Sequence, residues 1–151
     1  QAKGSRFQWL PALPFLLAAL AAVALVRPAP AGAGRTILSG AEPFSEARLA
    51  ELTAQGRPVF AYFTADWCLT CKVNEKAVIE TDAVARAFAS AKVAVLVGDW
   101  TDGDPALGRF IEKHNRAGVP LYLWYKPGEA APRVLPQILT QDLMRTLAGG
   151  G

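Results

Sequence analysis

Histidine and cysteine are scarce in this chain, which has one His and two Cys in 151 residues. A closed zinc site needs four nitrogen or sulfur ligands. The two cysteines and His114 do not supply that set, so we expect no metal site unless two chains share one. His114 itself is expected near the end of a helix, where the C-terminal dipole favours a solvated imidazole.

Acidic residues are absent from the first 35 positions, where Lys3, Arg6, Arg27 and Arg35 are found. This segment therefore accounts for the whole formal charge of +3, and the remainder of the chain is slightly acidic. A nucleic-acid-binding domain needs a basic surface on its folded part. Nucleic acid is therefore not an expected partner.

Charged residues are also absent from residues 7–26, FQWLPALPFLLAALAAVALV. This length suffices to cross a bilayer core of ~30 Å as a helix. We predict a membrane-spanning helix with its flanks over residues 1–27, a Pro-, Ala- and Gly-rich linker over 28–43 and a folded domain over 44–148. A secretory signal sequence is the main alternative and a buried core helix the other. A membrane-spanning helix and a signal sequence would both place the folded domain outside the cytoplasm.

Strands and helices are predicted to alternate in the folded domain. The apolar runs PVFAYFT, VAVLVG and LYLWY indicate buried strands, and Arg133 to Leu135 a short fourth one. Ser45, Asp104 and Thr140 are expected to cap the first turns of helices. This alternation predicts an α/β fold, with a central mixed sheet flanked by helices on both faces and one antiparallel edge.

Both cysteines lie in one motif, TADWCLTCK, which follows a predicted strand and begins a helix. A disulfide that closes so short a loop removes little entropy from the unfolded chain, so a purely structural role is not favoured. A helix N-terminus stabilises a thiolate and can lower a thiol pKa from about 8.5 to ~3.5–7.5. Cys71, one turn after Cys68, is expected to be buried and to attack a mixed disulfide formed at Cys68. The motif predicts a redox-active disulfide that needs no other cofactor.

Four more residues are candidates for the site. Glu75 lies on the same helical face as Cys71 and is predicted to exchange a proton with that thiol, unless it is a surface carboxylate paired with a lysine. Trp67 is expected to cover the cysteine pair and limit its contact with solvent. The alternative is that Trp67 serves only in packing. Val119 and Pro120 precede a strand, and a cis bond between them would present Val119 to an extended partner segment. The sequence leaves that isomer open.

The motifs TADWCLTCKVNE, GDWTDGDP, GVPLYLWY and VLPQILT together resemble the C-terminal thioredoxin-like domain of the membrane thiol:disulfide interchange proteins, the DsbD family, in its ScsB-like branch. The resemblance covers about residues 44–147 and implies a thioredoxin-like fold. It implies that Cys68 is the exposed nucleophile and Cys71 the resolving thiol. It further implies that Pro120 is the cis-proline and Glu75 an acidic modulator.

The resemblance also implies a relay of reducing equivalents. Residues 7–26 would be the last helix of a membrane electron-donor domain, whose cysteine pair reduces Cys68–Cys71. The acceptors would be periplasmic thioredoxin-like proteins or disulfide isomerases, so the protein would lie in the bacterial inner membrane with this domain in the periplasm. One residue departs from the family, because Tyr62 occupies the position of a buried Asp. A phenol with a pKa of about 10 is a poor base at neutral pH.

Three other functions stay open. A stand-alone, membrane-anchored thioredoxin-like reductase for cytochrome c maturation would take electrons from a separate membrane protein. A redox-silent module of the same fold would only bind extended peptides. An oxidase would donate disulfides, because the spacing of the cysteines does not set the direction of electron flow.

Overall fold

The computed structural model describes Leu38, residues 40–129 and residues 131–150. The chain divides into two units, residues 1–33 and 34–151. The first unit, and with it the predicted membrane-spanning helix, lies outside the described residues. Among the residues that are described, no helix combines the length and the apolar character that crossing a bilayer requires.

One mixed sheet forms the centre of the described domain, with the strand order β1-β3-β2-β4-β5. Strand β3 pairs in parallel with β1 and β2, whereas β4 pairs antiparallel with β2 and β5. The strands are β1 (Glu42–Pro43), β2 (Val59–Thr64), β3 (Ala94–Asp99), β4 (Leu121–Tyr125) and β5 (Arg133–Val134). The helices are α1 (Glu46–Ala54), α2 (Leu69–Asn74), α3 (Asp82–Ser90), α4 (Pro105–Lys113) and α5 (Gln141–Ala148), with a π-helical segment (Glu75–Ile79) directly after α2.

Apolar side chains pack on both sides of the sheet, so the central strand β2 is buried along its whole length. On one side Phe60, Tyr62 and Tyr122 pack under the π-helical segment, α3 and α5. On the other side Ala61 and Phe63 pack under α1 and α4. The predicted α/β class, with a mixed sheet and helices on both faces, is confirmed.

Three helices begin at the residues that the sequence predicted as caps. The side chains of Ser45, Asp104 and Thr140 each accept a hydrogen bond from a backbone N–H in the first turn that follows. These bonds satisfy donors that have no partner inside the helix.

The sheet includes the last two residues of the expected linker over 28–43. Glu42 and Pro43 form β1, and Leu38 is buried against the core. Glu42 is also held by Arg48, whose Nε lies 2.7 Å from the Glu42 carboxylate. The hydrogen bond from Arg48 lowers the pKa of Glu42. A strand of only two residues has no alternating pattern from which the sequence could predict it.

Candidate active site

Cys68 and Cys71 form a disulfide at the junction between β2 and α2. Cys68 caps the helix, and its Sγ accepts a hydrogen bond from the N–H of Cys71 at 3.2 Å. Cys68 is 7% exposed, whereas Cys71 is 0% exposed. Cys68 is therefore the more accessible of the two residues, and its role as the nucleophile stays a prediction.

The loop formed by residues 99–104 supports the chain just before Cys68. Strands β2 and β3 are parallel, so Thr64 and Asp99 end side by side and the loops that follow them meet at one edge of the sheet. Thr101 accepts a hydrogen bond from the N–H of Asp66 at 2.9 Å through its hydroxyl, and one from the indole N–H of Trp67 at 3.2 Å through its carbonyl. The motif GDWTDGDP thus supports the redox loop, a role that the sequence analysis did not assign.

Trp67 lies on the surface beside the cysteine pair. Its side chain is 61% exposed, and its ring centroid lies 6.2 Å from that of Trp100. Together with the hydrogen bond to Thr101, this contact holds the indole in place although most of it faces solvent. The expectation that Trp67 covers the cysteine pair stays a prediction.

Glu75 is buried, so its interpretation as a surface carboxylate is wrong. It is the first residue of the π-helical segment, is 4% exposed and accepts a hydrogen bond from the hydroxyl of Thr64. The ammonium of Lys72 lies 3.1 Å from its other oxygen and 3.6 Å from Asp66. The buried carboxylate is thus matched by one hydroxyl and one cation, as burying a charge requires.

Tyr62 and Tyr122 are neighbours in the register of β2 and β4, and both are buried. Among the described residues, the hydroxyl of Tyr62 has no hydrogen-bond partner. Burial raises the pKa of Tyr62 far above its usual range, and the negative charge of Glu75 raises it further. Burial also raises the pKa of Tyr122 to about 12. Neither phenol is a base at neutral pH, in line with the expectation for Tyr62.

Asn74 is a buried polar residue that the sequence analysis missed. Its amide N–H group donates to the Tyr122 hydroxyl at 2.9 Å and to the carbonyl of Gln137 at 2.7 Å. Its amide oxygen accepts from the N–H of Leu139 at 3.1 Å. The only signal in the sequence was its place between the cysteine motif and Glu75.

The Val119–Pro120 peptide bond is cis, as the resemblance implies. Val119 packs against the cluster formed by Ala65, Cys68 and Cys71. The structure therefore brings both cysteines and Val119 together, although they are far apart in the sequence.

His114 is not a member of this cluster. Its Nδ1 lies 2.9 Å from the carbonyl oxygen of Phe110, one turn earlier at the end of α4. Within the described ranges, no group of three or more His, Cys, Asp or Glu residues is placed to hold a metal ion.

A cysteine pair between a strand and a helix, beside a cis-proline on a mixed sheet, defines a thioredoxin-fold redox domain. The chain belongs to the thioredoxin-like family, whose model matches residues 41–127. Among solved structures, the reduced C-terminal domain of DsbD from Neisseria meningitidis gives a TM-score of 0.55 at 18% identity, covering 70% of this chain and 96% of that one. A thioredoxin from Thermus thermophilus gives 0.55 at 22% identity, covering 73% and 85%. These likenesses show the fold.

Curated relatives carry the name thiol:disulfide interchange protein. The chain is 37% identical over 83 residues to DsbD 1 of Pseudomonas aeruginosa, which is 55% of this chain and 14% of that protein. It is 32% identical over 88 residues to DsbD of Vibrio cholerae, again 14% of that protein. The matched part is therefore a small share of the relatives' length.

Proposed function

We propose that this chain is a thiol:disulfide oxidoreductase in which Cys68 and Cys71 alternate between dithiol and disulfide. The observation that carries the proposal is the unequal exposure of the two cysteines at a helix start, where Val119 of the cis Val119–Pro120 bond packs against them. The similarity to thiol:disulfide interchange proteins supports the same activity. A redox-silent peptide-binding module would have no use for such a pair.

The reductive reaction proceeds in two exchanges. The Cys68 thiolate, stabilised by the N–H of Cys71, attacks one sulfur of a partner disulfide, and one partner thiolate leaves. The Cys71 thiol then loses its proton to Glu75, and its sulfur attacks the Sγ of Cys68. The second partner thiolate leaves, so that the partner gains two electrons and the protein regains its disulfide.

We also propose the direction and the place of this reaction. The donor is a cysteine pair of a membrane electron-donor domain, and the acceptors are periplasmic thioredoxin-like proteins or disulfide isomerases. In this proposal residues 7–26 span the bacterial inner membrane and the redox domain lies in the periplasm. The resemblance to the DsbD family supports these assignments, and a separate anchored reductase for cytochrome c maturation would differ only in the origin of its electrons.

The equilibrium potential of Cys68–Cys71, titrated with glutathione in the full chain, tests the proposal. A potential between about −200 and −270 mV supports a reductant, because electrons then flow to more oxidising partners. A potential near −120 mV, typical of a strong oxidant, reverses the direction. The absence of any dithiol–disulfide equilibrium rejects the redox function.

A further inference from the structure

Trp100, in the motif GDWTDGDP, is held through both its backbone and its side chain. Its backbone N–H donates to the carbonyl of Thr64 at 2.8 Å, and its indole N–H donates to the carbonyl of Asp104 at 3.0 Å. The ring is half-buried and packs against the core that lies under α1 and α4. Because Thr64 ends β2 and Asp104 caps α4, Trp100 is fixed to two elements at once.

Two glycines allow the Trp100 indole to lie close to other parts of the backbone. A Cβ at Gly108, on α4, would lie 3.5 Å from its Nε1 and 3.6 Å from its Cζ2. A Cβ at Gly118 would lie 3.2 Å from its Cζ3, which is closer than an ordinary contact between carbon atoms. The indole therefore lies against both α4 and the segment that leads into the cis Val119–Pro120 bond.

The same indole also neighbours the loop that carries the cysteines. Its ring centroid lies 6.2 Å from that of Trp67, which directly precedes Cys68. Val119, which follows Gly118, packs against the cluster that contains both cysteines. Trp100 is thus the neighbour of two segments that are far apart in the sequence and meet at the disulfide.

We propose that Trp100 is a positioning residue that holds Val119 over the cysteine pair and thereby keeps Cys71 inaccessible to external reagents. The inference rests on the proposed function, in which the partner sulfur bonds to Cys68 and Cys71 acts only in the second exchange. Cys71 is 0% exposed, so its reactivity toward external reagents depends on the residues that cover it. Because protein interiors are close-packed, a small displacement of Val119 removes contacts from that cover.

Alkylation of the reduced full chain tests this inference. The protein is reduced with dithiothreitol, separated from the reductant and treated with iodoacetamide, and tandem mass spectrometry measures how much of each cysteine is modified. We expect the unaltered protein to be modified almost entirely at Cys68. Trp100→Phe lacks the six-membered part of the indole that faces Gly118. We expect it to raise the ratio of Cys71 to Cys68 modification about fivefold, which corresponds to the loss of part of one apolar contact.

Two glycine variants separate the position of Val119 from the general integrity of the fold. Gly118→Ala places a methyl group against a ring that its hydrogen bonds hold in place, so the segment before Val119 should move and the ratio should rise. Gly108→Ala is the matched control, because its methyl group meets the same indole at an ordinary contact distance. It should keep the ratio of the unaltered protein.

The double variant Trp100→Phe/Gly118→Ala tests whether the two positions act through one contact. The methyl group of Ala enters the space that the shorter Phe side chain leaves, so the ratio should fall below that of Trp100→Phe alone. Two independent effects would instead multiply. A compensation of this kind is not expected from two variants that merely destabilise the fold.

The outcomes distinguish the inference from the proposed function. If the protein reduces hydroxyethyl disulfide but Trp100→Phe and Gly118→Ala leave the ratio unchanged, Trp100 does not control access to Cys71 and the proposed function stands. A double variant whose ratio is the product of the single effects, or a Gly108→Ala variant that matches Gly118→Ala, would indicate general loosening and overturn the inference. If hydroxyethyl disulfide is not reduced at all, the proposed function fails, whereas the alkylation ratios still decide whether Trp100 controls access.

Discussion

At the scale of single residues, Glu75 is a buried carboxylate held by groups from two elements. Thr64 belongs to the end of β2, and Lys72 lies on α2 one turn before Glu75. Such a carboxylate keeps a defined position with little exposure to solvent. Its role as the acceptor of the Cys71 proton stays a prediction.

Replacing Glu75 by Gln tests its proposed role in the second exchange. Gln has nearly the same shape but cannot accept the proton, so the mixed disulfide at Cys68 should persist longer near neutral pH, by about tenfold or more. The lifetime is measured by acid quenching and mass spectrometry after reaction with hydroxyethyl disulfide. Glu80→Gln, which changes the partner of Lys76 instead, is the control. Equal lifetimes between about pH 6 and 9 would exclude Glu75 as the acceptor.

Tyr62 and Tyr122 are both buried, but only the hydroxyl of Tyr122 has a hydrogen-bond partner among the described residues, so the stabilities of their Phe variants can be compared. The Tyr62 hydroxyl has no partner among the described residues, so Tyr62→Phe should leave the free energy of unfolding unchanged or raise it slightly. Tyr122→Phe removes an acceptor of Asn74 and should lower that free energy by about 1 kcal/mol. Urea unfolding of the oxidised proteins measures both changes. A larger loss in Tyr62→Phe than in Tyr122→Phe would contradict the assignment.

Glu75, whose role the sequence left open, and Asn74, which it did not single out, show what a linear pattern cannot supply. The spacing after Cys71 correctly predicts that Glu75 lies one turn further along the same helical face. It does not predict that the hydroxyl of Thr64 donates a hydrogen bond to the Glu75 carboxylate. The partners of Asn74 lie more than 60 positions further along the chain, apart from Tyr122 on β4. Such long-range hydrogen bonds depend on the packing of complete elements.

At the scale of elements, the local signals in the sequence were sufficient for nearly all the strands and helices. Long apolar runs predicted β2, β3 and β4, and capping residues predicted where α1, α4 and α5 begin. The π-helical segment was not predicted, because its five residues EKAVI suit an α-helix equally well. Its distinguishing bond, from the N–H of Glu80 to the carbonyl of Glu75 at 2.8 Å, depends on tertiary packing.

The cap of α5 should make a measurable contribution to stability. Thr140 accepts a hydrogen bond from the N–H of Leu143 at 3.2 Å, so Thr140→Ala should lower the free energy of unfolding by about 1 kcal/mol. Thr146→Ala is the matched control, because it is the same replacement at an exposed position inside the same helix, where Ala is the better helix former. Urea unfolding of both variants decides the comparison. Equal losses would show that the cap contributes nothing specific.

At the scale of the whole molecule, all three tyrosines of the chain lie in the sheet core. They are Tyr62 on β2 and Tyr122 and Tyr125 on β4, so each packs in the layers that hold the sheet to its helices. Burial raises the pKa of Tyr122 and of Tyr125 to about 12, and that of Tyr62 further. The core therefore keeps three phenols neutral at a pH at which an unfolded chain would ionise them.

This difference predicts how stability changes at alkaline pH. Below the usual tyrosine pKa of about 10, both states bind the phenolic protons and the contribution is fully present. Above it the unfolded state loses protons that the folded state retains, so the free energy of unfolding should fall by about 1.4 kcal/mol per pH unit for each tyrosine, until the pH approaches the folded-state pKa. Urea midpoints measured at increasing pH test the slope, and Tyr62→Phe should reduce it by about one third. A flat profile, or an unchanged slope in Tyr62→Phe, would show that these phenols are not protected by the fold.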